Sequence, residues 1–239
     1  MPDLAYTWEK GSKPLAVLYL HGWTARRKSR KGDAVQEQAR REKCHYLAFD
    51  YTAHGESGGK PEDFLIGQGI QDALDIVRET TQEIPLIIVG NSIGGWIGLQ
   101  LAEQLPNVVG FIGLAPAPDI TPYIWDELLP DYARQALSVG KTIGPSPETF
   151  GFCFTPQLFQ DAQKYMMLDR EIPFNGPCRL LLGDQDERVH IDRLYRIKDC
   201  VKSENVQITL IKGANHHLSR DLDLAVIQQT ISELIGKIL

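Results

Sequence analysis

Short aliphatic runs alternate with helical patterns along most of this chain, and this alternation constrains the fold more than any other feature. The runs are apolar on both faces, which is typical of strands in a parallel sheet covered by helices on both sides. The sequence therefore predicts an α/β fold with a mostly parallel, doubly wound sheet. The predicted strands lie at residues 15–20, 45–50, 86–89, 108–114, 179–182 and 206–211, and the main helices at 33–43, 66–80, 95–105 and 222–238.

The alternation stops between residues 119 and 174, where no strand pattern occurs and prolines and aromatic residues cluster. A long segment of this kind after a strand of an open α/β sheet lies over the carboxyl ends of the strands, where ligands bind. We therefore predict a helical cap at 119–174, inserted within a single α/β domain of residues 1–239. The alternative is a set of connecting helices whose aromatic residues only pack on the sheet.

The composition limits the classes of protein to which the chain can belong. Its 239 residues are 43% hydrophobic, enough for one domain with a large core, and the net charge of −6 argues against a nucleic-acid partner. The four cysteines are far apart and show no C-x-x-C spacing. We therefore predict neither a zinc site nor a disulfide framework, and we infer a reducing compartment.

No apolar stretch reaches the length of a transmembrane helix, and the first residues lack the basic and apolar regions of a signal peptide. We expect no stable membrane insertion and a cytoplasmic location, or an organelle matrix if a targeting segment has been removed. The sequence contains no metal-binding, nucleotide-binding or flavin-binding pattern, so no metal and no cofactor are expected. The oligomeric state stays open.

A G-x-S-x-G sequence, residues 90–94, follows directly on the aliphatic run that ends at Val89. Between a strand and a helix, this sequence is typical of a nucleophile elbow, a sharp turn that exposes the serine hydroxyl. The glycines leave room where the strand and the helix come close. We therefore predict Ser92 as a nucleophile, with a glycine-rich structural turn as the alternative.

A serine hydroxyl needs a general base, and the base needs an acid that orients it. In this fold the acid and then the base follow the serine along the chain, each on a loop after a strand. The loop after residues 179–182 offers Asp186, with Asp184 and Glu187 as rivals. The loop after the last strand offers His216, three residues after Gly213, with His217 beside it.

The tetrahedral intermediate needs hydrogen-bond donors for its oxyanion. We predict the backbone N–H groups of Ile93, directly after the nucleophile, and of Trp23, in the loop after the first core strand. Each such donor typically stabilises the transition state by about 3–4 kcal/mol. His21 is expected to hold the Trp23 loop by hydrogen bonds, and residues 50–57, including His54 and Ser57, to brace the site.

A basic run, residues 26–31, lies between the Trp23 loop and a helix expected to begin near Asp33. Positive charge at a helix N-terminus opposes the helix dipole, so a carboxylate or a bound anion is expected to compensate it. We favour a solvated surface loop for this run. The alternative is that the run recognises an anionic part of a substrate.

Together these residues resemble the α/β-hydrolase superfamily. The matching segments span most of the chain in the order of that family, at residues 21–23, 50–57, 90–96, 183–189 and 213–217. The resemblance implies an α/β-hydrolase fold. The spacing of Asp186 from Gly183 matches the family pattern, so the implied triad is Ser92, Asp186 and His216.

Three segments are similar to the small palmitoyl-protein thioesterase branch, which includes mitochondrial depalmitoylases and bacterial relatives. These segments are residues 49–51, 89–96 and 177–183. The chain departs from that branch at residues 21–23, where a proline often precedes the glycine, and in the basic run after Trp23.

These observations predict a serine hydrolase that cleaves carboxylic esters or thioesters with an apolar acyl group through an acyl-serine intermediate. The expected partner is a small-molecule ester or an acylated substrate. A C–C bond hydrolase or a small serine peptidase uses the same triad, and the cap decides between them. An inactive hydrolase scaffold that only binds a ligand is disfavoured, because all three members of the triad are present.

Overall fold

A seven-stranded sheet forms the centre of the computed structural model, which describes residues 3–149 and 151–239. Met1, Pro2 and Phe150, which fall within the predicted domain or cap, lie outside the described residues. The strands are β1 (Tyr6–Glu9), β2 (Ala16–Leu20), β3 (His45–Phe49), β4 (Leu86–Asn91), β5 (Val108–Leu114), β6 (Cys178–Gly183) and β7 (Val206–Ile211).

The strands are ordered β1-β3-β2-β4-β5-β6-β7, and β2 to β7 run parallel to one another. The prediction of an α/β fold with a mostly parallel sheet is therefore confirmed. In a parallel sheet all the carboxyl ends lie at one edge, so the loops after β2, β4, β6 and β7 meet there.

β1 is the one strand of the sheet that the sequence analysis did not predict. It pairs antiparallel with β3, with Tyr6 opposite Phe49 and Glu9 opposite Tyr46. It lies at the edge of the sheet and its residues are exposed or half-buried. A strand of this kind carries no continuous apolar run, which was the signal used for the other strands.

Eight helices and two single turns connect the strands in the described part of the chain. The helices are α1 (Arg30–Arg41), α2 (Ile66–Thr80), α3 (Ile93–Gln104), α4 (Thr121–Tyr123), α5 (Asp131–Ser138), α6 (Pro156–Gln163), α7 (Ile191–Cys200) and α8 (Asp221–Ile238). The turns are a 3₁₀ turn at Pro61–Asp63 and a π turn at Ile124–Leu128. None of the helices in residues 3–149 and 151–239 has both the length and the apolar character to cross a membrane.

Helices cover both faces of the sheet, as the buried strands require. In β5, Gly110 packs under Leu234 of α8, whereas the next residue, Phe111, contacts Gly98 of α3. Neighbouring residues of a strand point to opposite faces, so α8 and α3 lie on opposite sides of the sheet. α1 packs against α8, and α2 packs against α3.

The segment between β5 and β6 contains α4, the π turn, α5 and α6. Its two ends are joined by the carboxylate of Asp119, which accepts hydrogen bonds from the backbone N–H groups of Met167 (3.0 Å) and Leu168 (2.7 Å). A short antiparallel bridge pairs Ile143 with Phe154. The predicted cap boundaries, 119–174, enclose all of these elements.

Candidate active site

Ser92 lies at the sharp turn between β4 and α3. Its backbone has φ +54° and ψ −117°, a conformation that residues with a side chain rarely adopt. A Cβ atom on Gly90 would overlap the carbonyl of Gly94, and a Cβ atom on Gly94 would overlap the carbonyl of Leu20. Both glycines are therefore needed for the turn to form beside β2.

His216 connects Ser92 to Asp186. The Nε2 atom of His216 lies 3.2 Å from the Oγ atom of Ser92, and its Nδ1 atom lies 2.9 Å from Oδ2 of Asp186. When Nδ1 donates its proton to the carboxylate, Nε2 is left as the acceptor for the serine hydroxyl. The three predicted triad residues, which come from three separate loops, thus form one continuous hydrogen-bonded chain.

The Asp186 carboxylate is held in its charged form. Burial raises the pKa of Asp186, but the hydrogen bond and charge of His216, together with the backbone N–H groups of Val189 and Arg188, lower it more strongly. The net pKa lies below the ordinary value for an aspartate. The two backbone N–H groups donate to Oδ1 at 2.9 Å and 2.8 Å, which fixes the orientation of the carboxylate.

The loops after β6 and β7 are packed against each other, which brings the acid to the base. A Cβ atom on Gly183 would overlap the carbonyl oxygen of Ala214. The Asp184 side chain accepts a hydrogen bond from the N–H of Gly213 at 2.6 Å. Asp184 therefore links the two loops, while Glu187, the other rival for the acid, is exposed.

Trp23 and Ile93, the predicted oxyanion donors, line the same cavity as Ser92. Ile93 is the first residue of α3, so its N–H has no acceptor within the helix. His21 supports the Trp23 loop from below, because its Nδ1 atom lies 2.7 Å from the carbonyl of Gly22 and its Nε2 atom accepts the N–H of Tyr51. Burial, followed by the charge of His54, lowers the pKa of His21 to about 3, so this ring is neutral.

The basic run corrects one expectation, because the favoured interpretation as a solvated loop is wrong for Arg27. Arg27 is buried and donates to the carboxylate of Asp50, both from its guanidinium group and, at 2.6 Å, from its backbone N–H. Glu56 binds the same guanidinium at 2.5 Å. Arg27 thus fastens the loop at 50–57 to the segment that follows Trp23.

The cavity above Ser92 has a volume of about 260 Å³. Its apolar wall comes largely from the segment between β5 and β6, with Ile120, Ile124, Leu128 and Phe152. The rings of Trp23 and Phe152 lie 4.7 Å apart between centroids, so the Trp23 loop packs directly on this segment.

Two cationic residues, Lys31 and Arg188, also line the cavity, and neither was predicted individually as a site residue. Lys31 belongs to the basic run, which was the only signal for it. Arg188 follows Asp186 by two residues, and nothing in its own sequence context distinguishes it from a surface residue.

The fold and the site agree with one class of protein. Residues 17–226 match the model of the alpha/beta hydrolase family, and the chain belongs to this family. It is similar to the mitochondrial palmitoyl-protein thioesterase ABHD10 of mouse, with 31% identity over 244 residues that cover 100% of this chain and 80% of the mouse protein. The resemblance to the palmitoyl-protein thioesterase branch is therefore confirmed.

Solved structures agree with this relationship. The structure of mouse alpha/beta hydrolase domain-containing protein 10 matches with a TM-score of 0.89 and 28% identity, covering 100% of this chain and 96% of the mouse chain. A putative hydrolase from Agrobacterium vitis S4 matches with a TM-score of 0.88 and 24% identity, covering 97% and 93% of the two chains. This second match, at 24% identity, supports a shared fold and nothing more specific.

Proposed function

We propose that this protein is a serine hydrolase that cleaves carboxylic esters or thioesters with an apolar acyl group. The observation that carries the proposal is the hydrogen-bonded chain from Ser92 through His216 to Asp186. The likeness to ABHD10, which is named as a palmitoyl-protein thioesterase, supports acylated proteins as substrates. The apolar wall of the cavity suits the acyl group and gives no support to a peptidase.

In the acylation step, the Oγ atom of Ser92 attacks the carbonyl carbon of the substrate while Nε2 of His216 takes the serine proton. The carboxylate of Asp186 stabilises the imidazolium ion that forms. The N–H groups of Trp23 and Ile93 stabilise the negative charge on the carbonyl oxygen. His216 then gives its proton to the leaving alcohol or thiol, and an acyl-serine remains.

In the second step, His216 takes a proton from a water molecule, which attacks the acyl-serine. The acid is released and the proton returns to the Oγ atom of Ser92. The inactive-scaffold alternative is disfavoured, because such a protein has no need for a serine held within hydrogen-bond distance of a histidine–carboxylate pair.

The test is to label the purified protein with a fluorophosphonate and to assay 4-nitrophenyl hexanoate hydrolysis. We expect the label on Ser92, and we expect Ser92→Ala to lose both labelling and at least about a thousandfold of kcat. Ser138→Ala is a matched control, since it removes an exposed serine hydroxyl of α5 that lies outside the cavity. Substantial hydrolysis by Ser92→Ala would contradict the mechanism.

The location proposed for the protein follows its relatives. ABHD10 is described as mitochondrial, which fits an organelle matrix, the second predicted location, and does not fit the plain cytoplasm. We therefore propose a matrix compartment. Imaging of the tagged full-length protein beside an organelle marker tests it.

A further inference from the structure

The charges of the basic run are neutralised unevenly. Arg27 pairs with Asp50 and Glu56, Lys28 pairs with Glu56 at 2.8 Å, and Arg30 pairs with Asp221 at 2.6 Å. These contacts compensate the positive charge near the N-terminus of α1. Lys31, in the first turn of α1, is a different case.

The Lys31 side chain is half-buried at the cavity that contains Ser92. Its Nζ atom donates to the backbone carbonyl of His217, and within the described residues it forms no ion pair with a carboxylate. Burial lowers the pKa of Lys31 to about 8, against the longer-range attraction of Asp223 and Asp186. At pH 7 the ammonium group is therefore charged, and a neutral carbonyl is its hydrogen-bond partner.

The cavity offers this charge no acidic group. The charged residues of the described chain that line it are Lys31 and Arg188, and no aspartate or glutamate is among them. Burying an ammonium group without an opposite charge costs free energy, so an anion in the cavity would stabilise it.

The position of Lys31 indicates which part of a substrate would carry the anion. Lys31 bonds to the residue directly after His216, and His216 is the group that returns a proton to the leaving group. The apolar wall between β5 and β6 suits the acyl chain instead. In the mechanism proposed above, the leaving group would therefore lie on the side of Lys31.

We propose that Lys31 binds an anionic group, a carboxylate or a phosphate, on the leaving-group part of the substrate. This inference rests on the proposed serine hydrolase function. It makes Lys31 a specificity residue, because an anionic leaving group is recognised through its charge and a neutral one is not.

The test compares substrate pairs that differ in one charged group. Hexanoyl thioesters of 3-mercaptopropionate and of its isosteric amide test a carboxylate, and hexanoyl 4′-phosphopantetheine against hexanoyl pantetheine tests a phosphate. At pH 7 we expect a higher kcat/KM for the anionic member of at least one pair. We expect Lys31→Met to lower that anionic-to-neutral ratio at least about tenfold, the typical contribution of a charge-assisted hydrogen bond.

Two further variants separate recognition from structure. Lys31→Arg should keep much of the ratio, and Arg26→Met, which removes a neighbouring exposed charge outside the cavity, should leave it unchanged. If Lys31 only supports the His216 loop, Lys31→Met slows the anionic and neutral substrates equally. A ratio near one in both pairs, or a ratio that Lys31→Met does not change, overturns the inference.

Calorimetry with Ser92→Ala distinguishes this inference from the proposed function. We expect the inactive protein to bind the carboxylate thioester more tightly than the amide. If both members are hydrolysed with equal kcat/KM, the proposed serine hydrolase function stands and the inference of an anion site fails. If the protein binds the carboxylate thioester more tightly than the amide but hydrolyses neither, the anion site stands and the proposed serine hydrolase function fails.

Discussion

Asp186 shows how one residue sets the chemistry of its neighbour. Its carboxylate accepts two backbone N–H groups and the Nδ1 side of His216, so its orientation is fixed from several directions. A carboxylate at this position selects the histidine tautomer whose Nε2 atom can accept the serine proton. An amide at the same position can donate to Nδ1 and select the other tautomer.

Asp186→Asn is therefore expected to lower kcat by about ten-thousandfold with a much smaller effect on KM. Steady-state kinetics on 4-nitrophenyl hexanoate measures both constants. Glu187→Gln makes the same chemical change at the next residue, which is exposed, and should stay within about twofold of the wild-type kcat. Similar losses in both variants would show that the acid has been misassigned.

At the scale of elements, the segment between β5 and β6 determines the shape of the cavity. Its π turn contributes Ile124 and Leu128, and Phe152 closes the wall against Trp23. At about 260 Å³, the cavity lies at the small end of the range of ligand-binding cavities, about 300–1,000 Å³. The ester or thioester group must share this space with the acyl chain.

We therefore expect kcat/KM to be highest for acyl chains of about four to eight carbons and to fall before sixteen. Leu128→Ala shortens a side chain of the apolar wall and so enlarges the cavity, which should move the optimum to longer acyl chains. A series of 4-nitrophenyl esters from acetate to palmitate measures the optimum. Val139→Ala shortens an exposed residue of the same segment outside the cavity and should not move it. An optimum at palmitate in the wild-type protein would contradict the volume argument.

At the scale of the whole molecule, buried histidines couple stability to pH. Burial lowers the pKa of both His21 and His54, and that of His21 falls from 6.5 to about 3. Between these two values the unfolded chain binds more protons at His21 than the folded chain does. The free energy of unfolding therefore decreases as the pH falls below about 6.5.

His21 alone should cost roughly 1–2 kcal/mol of stability between pH 6.5 and pH 5. Urea unfolding at several pH values measures this slope, and His21→Asn should reduce it by about that amount, whatever its effect at neutral pH. His190→Asn, which changes an exposed histidine, should keep the wild-type slope. An unchanged slope in His21→Asn would mean that the buried ring is not the cause.

The sequence by itself determined the class of fold and the order of the candidate site residues. Strands that are apolar on both faces can only be buried in a covered sheet, so the alternation of runs and helical patterns predicts β2 to β6. β7 was predicted with them, although it lies at the edge of the sheet and is mostly exposed or half-buried. The G-x-S-x-G turn and the loops after the last two strands indicate where Ser92, Asp186 and His216 lie along the chain, because parallel strands end at one edge.

The tertiary structure alone decided what lies around those residues. The burial of Arg27 depends on Asp50 and Glu56, and the position of Lys31 depends on the carbonyl of His217, far away along the chain. β1 forms because the free edge of β3 is available for pairing. The short sequence of β1 does not by itself predict a strand. A local sequence pattern indicates which face of a strand or helix is buried. The charge and shape of the cavity depend instead on contacts between segments that are distant along the chain.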